Sequence, residues 1–388
     1  MKLKNTTIFL CLLMIFLIND LFARSNSGTR VDLTEKLNLD GAAGQFAQLF
    51  VPDNFQSNNN KFTLVFHLHS ANWTAEDEVI NSHINAILFN IHLGGFSSAY
   101  GSEYFVDQDK FQMILDTILS VIDSKGIIND PEIEYLIMTS FSAGYGGVRE
   151  ILKSENYYNK VDALTLADGL HCSSYQSTAD YQMKDFVRFA KDGRDKKKIF
   201  ILTHSSIQTY GYQNTTQTSD YLVQKIGAKK RSFSANDEIG EQYARCDTGY
   251  FHIKSYYGTT AEDHLKHLYN MDKMLVQVND TLDSATVNIN YNNVNPRTFE
   301  LFQNYPNPFN SVTNVPFELT KSSLVKLSIY DISGKLVKTL VNERKNVGDY
   351  SIKWNGENSN DQLMASRIYA ICLVAEKQNK VKRAILLK

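Results

Sequence analysis

Ser142 occupies a setting that can make a hydroxyl a nucleophile. The segment Tyr135-Leu136-Ile137-Met138-Thr139-Ser140-Phe141-Ser142-Ala143-Gly144-Tyr145-Gly146-Gly147 passes from an apolar, strand-like stretch into a helix-compatible one that continues through Ile151. A serine at such a junction projects from a turn so sharp that the residues two before and two after it must be small. Ser140 and Gly144 meet that requirement. The hydroxyl also needs a base to take its proton and an acid to orient the base. Asp168 follows the apolar run Val161 to Ala167, at a strand end where α/β sheets keep their chemistry, and His264 falls in the loop after the run Phe251 to Tyr256. Both have competitors. Asp168 could simply cap a helix before Gly169, and Asp220 is the nearest carboxylate beyond the next strand, whose end (Thr203-His204-Ser205-Ser206) offers none. His267 can share a helical face with His264, whereas His252 lies within a strand and reads as structural. The nine histidines show no His-Glu-x-x-His pattern and the cysteines no paired Cys-x-x-Cys, so the reading includes no metal and no cofactor.

The elements that must carry these residues alternate. Strand patterns at Phe62 to His67, Ala86 to Ile91, Glu134 to Met138, Ala163 to Ala167, Lys198 to Thr203 and Phe251 to Tyr256 are separated by helical spacing, clearest over Lys110 to Ser124. Such alternation predicts a mostly parallel sheet with helices on both faces, with an edge strand at Gly44 to Val51 in front of it. The stretch from His204 to Cys246, polar over Gln208 to Asp220, leaves room for a substrate-specific insertion. Aromatics near the proposed site (Trp73, Phe96, Tyr100, Tyr104, Tyr145, Tyr210 and Tyr212) suit an apolar acyl group or a sugar ring, and core packing equally, and the segment Gly94 to Gly101 can line a pocket.

Residues 40–278 resemble the α/β-hydrolase superfamily in the order and context of these features. The resemblance implies the order nucleophile, acid, base, which Ser142, Asp168 and His264 keep. It also implies an oxyanion hole of two backbone N–H groups: that of Ala143, and one just past an earlier strand, where His69-Ser70-Ala71-Asn72 points to Ala71 and secondarily to Asn72. Ser140 and Ser70 stand where that family usually has glycine. The activity implied is that of a serine hydrolase, a carboxylesterase forming an acyl-enzyme on a small-molecule or polymer ester. A peptidase or amidase would use the same triad. A non-catalytic, glycan-binding or adhesive hydrolase-like domain is the alternative that the two substitutions favour.

The chain has 388 residues, 43% hydrophobic and 21% charged, with a net charge of -2. At roughly 150 residues per domain this allows two or three units. The balance lacks the basic surplus of a nucleic-acid binder. Lys2 and Lys4, the apolar run Ile8 to Ile18 and Leu21-Phe22-Ala23 together form a secretory signal peptide over residues 1–23, cleaved near Ala23. The run is shorter than the ~20 residues that span a bilayer, and no later stretch reaches that length. Cys172, Cys246 and Cys372 then remain, and an oxidising compartment permits Cys172 to pair with Cys246.

The catalytic domain is expected over residues 24–284 and a linker over 285–298, where Asn288 to Asn295 is polar and turn-forming. Beyond it, strand patterns at Val325 to Tyr330, Leu336 to Val341, Tyr350 to Trp354 and Ile368 to Val374, with turns at Ser333-Gly334 and Asn355-Gly356, predict a small antiparallel β-sandwich. Its opening, Leu301-Phe302-Gln303-Asn304-Tyr305-Pro306-Asn307-Pro308-Phe309-Asn310, followed by Ile329-Tyr330-Asp331, Gly334-Lys335, Trp354-Asn355-Gly356 and Ile368-Tyr369, resembles the type A sorting domain of the type IX secretion system; Arg367 replaces the glycine usual before the Ile-Tyr pair. The resemblance covers residues 299–388. It implies the type IX machinery as a partner, passage through the outer membrane, and a final place in the medium or on the cell surface.

Overall fold

The computed structural model describes residues 26–39, 44–287, 299–331, 335–375 and 378–387. The signal-peptide segment, the Asn288 to Asn295 stretch and the Ser333-Gly334 turn lie outside the described residues. Two compact units form: one runs to Arg231 and resumes over Ala244–Ala285, the other comprises Ser232–Tyr243 and Thr286–Lys388.

The strands up to residue 256 are β1 (Gly28–Asp32), β2 (Phe46–Pro52), β3 (Lys61–Leu68), β4 (Ala86–His92), β5 (Glu132–Phe141), β6 (Ala163–Ala167), β7 (Cys172–Ser173), β8 (Ile199–His204), β9 (Tyr212–Gln213), β10 (Arg231–Asn236), β11 (Glu241–Thr248) and β12 (Phe251–Tyr256). Ten of them make one sheet in the order β1-β2-β4-β3-β5-β6-β8-β12-β11-β10. From β4 through β12 the neighbours run parallel, while β1 and β2 are antiparallel at one edge. Parallel strands need helical crossovers, which cover both faces and make the strands near-continuous apolar runs. β6 and β8 are buried along their whole length.

Alternation along each strand divides the interior into two cores. Phe66, Leu68, Met138, Leu166 and Leu202 face one core, completed by helices Asp109–Ser124 and Gln176–Arg194. Val65, Ile137, Phe141, Ala167 and Ile201 face the other, completed by helices Asn72–Ser82 and Asp272–Val287. This is the α/β architecture read from the sequence. None of the described helices is long and apolar enough to cross a membrane.

Four expectations change. β5 extends past Met138 to Phe141, because it stays paired with β3 through Ser140 and with β6 through Phe141. The stretch after His204, polar in sequence, is built of regular elements: β9, a helix over Thr215–Lys225 capped by Asn214, β10 and β11. The helix that begins at Asp272 runs to Val287, three residues into the stretch expected as linker. Cys172 and Cys246 are free, each buried among apolar side chains on separate elements. Burial pushes both thiols up to about 11, away from the thiolate that disulfide exchange requires.

The C-terminal strands are β13 (Phe299–Leu301), β14 (Thr313–Leu319), β15 (Ser323–Asp331), β16 (Leu336–Lys345), β17 (Gly348–Trp354), β18 (Ile368–Ala375) and β19 (Gln378–Ile385). They form two antiparallel sheets, β13-β14-β17 and β16-β15-β18-β19. Phe317 and Trp354 from the first sheet and Leu327, Tyr369 and Ile371 from the second share one core. β14 went unread because Pro316 interrupts its apolar pattern.

Candidate active site

β5 ends at Phe141, and Ser142 turns the chain with φ of 45°, in the left-handed region. A short 3-10 turn over Ser142–Gly144 leads into helix Tyr145–Ile151. Glycine is required here for contact: a Cβ on Gly144 would strike the Leu68 carbonyl, and one on Gly146 the Ser97 carbonyl. This close approach seats the end of β3, and with it His69 to Asn72, against the turn that carries Ser142 and Ala143. Ser140, in place of a glycine, fits fully buried, its hydroxyl without a partner among the described residues.

β6 ends in the same way. Asp168 has φ of 42° and is 3% exposed. Its Oδ1 accepts from the Ser205 N–H at 2.9 Å and the Thr215 hydroxyl at 3.0 Å. Its Oδ2 lies 2.7 Å from His264 Nδ1, and His264 Nε2 lies 2.9 Å from Ser142 Oγ. Burial works against the Asp168 charge. The neighbouring histidines and the Ser205 N–H outweigh it and hold the carboxyl well below the usual carboxylate range. Of those histidines, His267 is itself buried and pushed down to about 4, so at neutral pH the hydrogen bonds from His264 and Ser205 do the holding. A carboxylate only accepts, so His264 Nδ1 carries the ring proton and Nε2 presents its lone pair to the Ser142 hydroxyl. The chain of contacts can therefore draw a proton off Ser142.

His264 sits on helix Ala261–Leu268, not in a loop. The helix starts early because Thr260 and Asp263 form a reciprocal cap. Its ring packs on Phe141 at 4.5 Å between centroids. The competitors are occupied elsewhere. Asp220 pairs with Lys230 at 2.7 Å, His252 with Asp247 at 2.8 Å, and His267 bonds the Thr203 hydroxyl at 3.0 Å. Ala71 is the residue before helix Asn72–Ser82, where the helix presents N–H groups to an anion. The Asn72 side chain is committed to Gln48 and Asn90.

Sequence reasoning missed several contributors. Ser205 and Thr215 lie on segments read as loop and insertion, and only tertiary contact shows that they hold Asp168. His69, with φ of 79° at the end of β3, has its Nδ1 2.9 Å from the Tyr100 hydroxyl and stacks on Phe141. Gly169 packs on Ser142 itself: a Cβ there would meet the Ser142 carbonyl, with Ser142 N at 2.6 Å and Cα at 2.8 Å. Its place directly after an acid was the available signal. Gly169→Ala is expected to destabilise the protein by about 1–3 kcal/mol and to displace Ser142. Thermal melts and the rate of fluorophosphonate labelling check this; unchanged labelling would mean that the turn tolerates the shift.

Residues 307–379 match the family model of the FlgD Ig-like domain. No curated protein matches the chain. Among solved structures, the chain is similar to LpqC, a poly(3-hydroxybutyrate) depolymerase from Bordetella parapertussis, at 10% identity over 63% of this chain and 87% of that one, with a TM-score of 0.37. It is similar to the siderophore hydrolase EstB from Aspergillus nidulans at 10% identity over 65% and 95%, with a TM-score of 0.35. It is also similar to PorZ of Porphyromonas gingivalis, described as an essential bacterial surface component of the type-IX secretion system, at 20% identity over 23% of this chain, with a TM-score of 0.18; the chain spans only 11% of that protein. On its own topology the first unit is an α/β fold: a mostly parallel sheet flanked by helices on both faces, with β1 and β2 antiparallel at one edge.

Proposed function

We propose that this chain is an exported serine hydrolase acting on carboxylic esters, with Ser142 as nucleophile, His264 as general base and acid, and Asp168 as the acid that orients it. The observation that carries the proposal is the unbroken chain Ser142 Oγ, His264 Nε2, His264 Nδ1, Asp168 Oδ2, at 2.9 and 2.7 Å. It is set among three non-glycine residues with positive φ at the ends of neighbouring strands. Costly backbone of this kind clusters at functional sites, because only a surrounding structure that over-determines it keeps it there.

Ser142 Oγ attacks the ester carbonyl carbon while its proton passes to His264 Nε2. The carbonyl electrons move onto oxygen, where the N–H groups of Ala143 and Ala71 receive the charge. One such donor contributes about 3 kcal/mol to the transition state. Asp168, ionised throughout, stabilises the imidazolium. The C–O bond then breaks, the alcohol leaves with the proton from His264, and Ser142 holds the acyl group. Water, deprotonated by the same ring, releases the acid.

Residues 299–388 serve export in this proposal. The support is the motif Leu301 to Asn310 at the head of a two-sheet antiparallel domain. The chain enters the periplasm by the segment before Ala23 and reaches the medium or the cell surface.

The test is to treat the protein with a fluorophosphonate probe and locate the modified residue by peptide mass spectrometry. Label on Ser142, lost in His264→Ala, is the expected result. Folded protein that takes no label would overturn the assignment and favour a binding role for the domain.

A further inference from the structure

A second built feature stands beside the triad. β7 and β9 pair antiparallel, Cys172 opposite Gln213 and Ser173 opposite Tyr212. This short ladder ties the loop that carries Asp168 to the loop that follows β8. His171 is fixed at the junction. Its Nδ1 lies 3.0 Å from the Gln213 carbonyl oxygen, and its own carbonyl accepts from the Arg149 guanidinium. A carbonyl only accepts, so Nδ1 carries the proton and Nε2 is left as a lone-pair acceptor. Burial, ahead of every other influence, holds the imidazole below its usual pKa and so neutral. Nε2 has no partner among the described residues and is not shut away from solvent.

Two rings stand edge-to-face with the His171 imidazole. Tyr145 stands 5.5 Å from the His171 ring and Tyr212 stands 5.2 Å from it. Tyr145 opens the helix that follows the nucleophile turn, and its hydroxyl reaches Ser97 Oγ at 3.3 Å. Tyr212 is 46% exposed, so the row leads from the nucleophile out to solvent. His171 is close enough to Asp168 and His264 to feel the charge of both.

We propose that His171 and Tyr212, backed by the buried ring of Tyr145, form a subsite for a hydroxylated ring attached to the scissile ester, the sugar of an acylated carbohydrate. A sugar offers C–H faces, which pack on aromatic rings, and hydroxyl donors, which a neutral histidine nitrogen accepts. A plain alkyl group would cover Nε2 without giving it a partner, a loss that disfavours binding. The proposal rests on Ser142 being the nucleophile.

The test uses the full chain with an O-acetylated xylo-oligosaccharide and with ethyl acetate, which is too small to fill the subsite. His171→Phe keeps the ring and removes the acceptor. Its kcat/KM on the sugar ester is expected to fall about tenfold to a hundredfold, mainly through KM, with ethyl acetate hydrolysis little changed. Tyr212→Ala, on an exposed ring, should lower the sugar-ester rate in the same selective way and serves if His171→Phe folds poorly. Equal losses on both esters, or a wild-type protein with no preference for the sugar ester, would overturn the subsite alone if Ser142 still takes the fluorophosphonate label. Absence of that label removes both readings together.

Discussion

Asp168→Asn lowers kcat about ten-thousandfold while leaving the melting temperature close to that of the parent. The expectation follows from how the carboxylate is pinned. Oδ1 accepts from the Ser205 N–H at 2.9 Å, and a backbone N–H can do nothing but donate. In asparagine the amide oxygen must stay at that place, with the Thr215 hydroxyl still donating to it. The amide nitrogen then takes the Oδ2 position, facing His264 Nδ1, and donates to it. His264 is driven into the other tautomer, with its proton on Nε2. The atom 2.9 Å from Ser142 Oγ becomes a donor and has no lone pair for the serine proton. Packing hardly changes, because the two side chains have the same shape. Steady-state rates on an ester and a thermal melt check the pair of claims. A loss smaller than about tenfold would show that Asp168 does not set the His264 tautomer.

Acid is expected to unfold this protein early. His67, His69, His92, His204 and His267 are all buried, none more than 6% exposed. Burial lowers the pKa of each: to about 3 for His67 and His204, to about 4 for His92 and His267, and well below normal for His69. The sign follows directly. The unfolded chain takes up protons as the pH falls through 6.5, while the folded chain does not. Stability present above pH 6.5 is therefore lost as the pH drops toward the folded values. Each group contributes about 1 kcal/mol over the first unit below 6.5, so the five together remove roughly 5 kcal/mol between pH 6.5 and 5.5. Glu78 opposes this: its burial raises its pKa, and its contribution is complete only at low pH and is lost as pH rises. Burial raises Asp162 and Asp185 in the same sense, and three carboxyls do not offset five imidazoles. Since a domain's whole margin is about 5–15 kcal/mol, urea midpoints should fall steeply between pH 7 and 5.5. A flat profile would mean that these imidazoles reach solvent or are charged in the folded state.

The parts of the molecule that announce themselves in sequence are those set by local pattern. Alternating apolar runs and the small residues around Ser142 reflect one strand meeting one turn, so the parallel sheet and the sharp turn that carries Ser142 were legible. The order Ser142, Asp168, His264 was legible for the same reason, each residue following a strand. What was not legible depends on contacts between distant segments. Nothing around Ser205 or Thr215 marks them as partners of Asp168, since their role comes from the loop after β8 folding back over β6. The helix at Ala261–Leu268 was read as loop because its apolar face is short, and the cap from Thr260 to Asp263 decides the matter. Cys172 and Cys246 invited pairing by number alone, yet each is one more apolar contact in the core.

His69, Ser142 and Asp168 hold left-handed backbone at the ends of β3, β5 and β6, which are adjacent in the sheet. Each such residue costs on the order of 1–3 kcal/mol against glycine or a relaxed turn. The row is thus the place where chemistry and durability pull against each other. In a lineage relieved of the reaction, drift toward greater stability would begin there, with glycine entering these three positions while the surrounding core stayed as it is. Any copy that keeps a non-glycine left-handed residue at all three sites is still under selection for the geometry they impose.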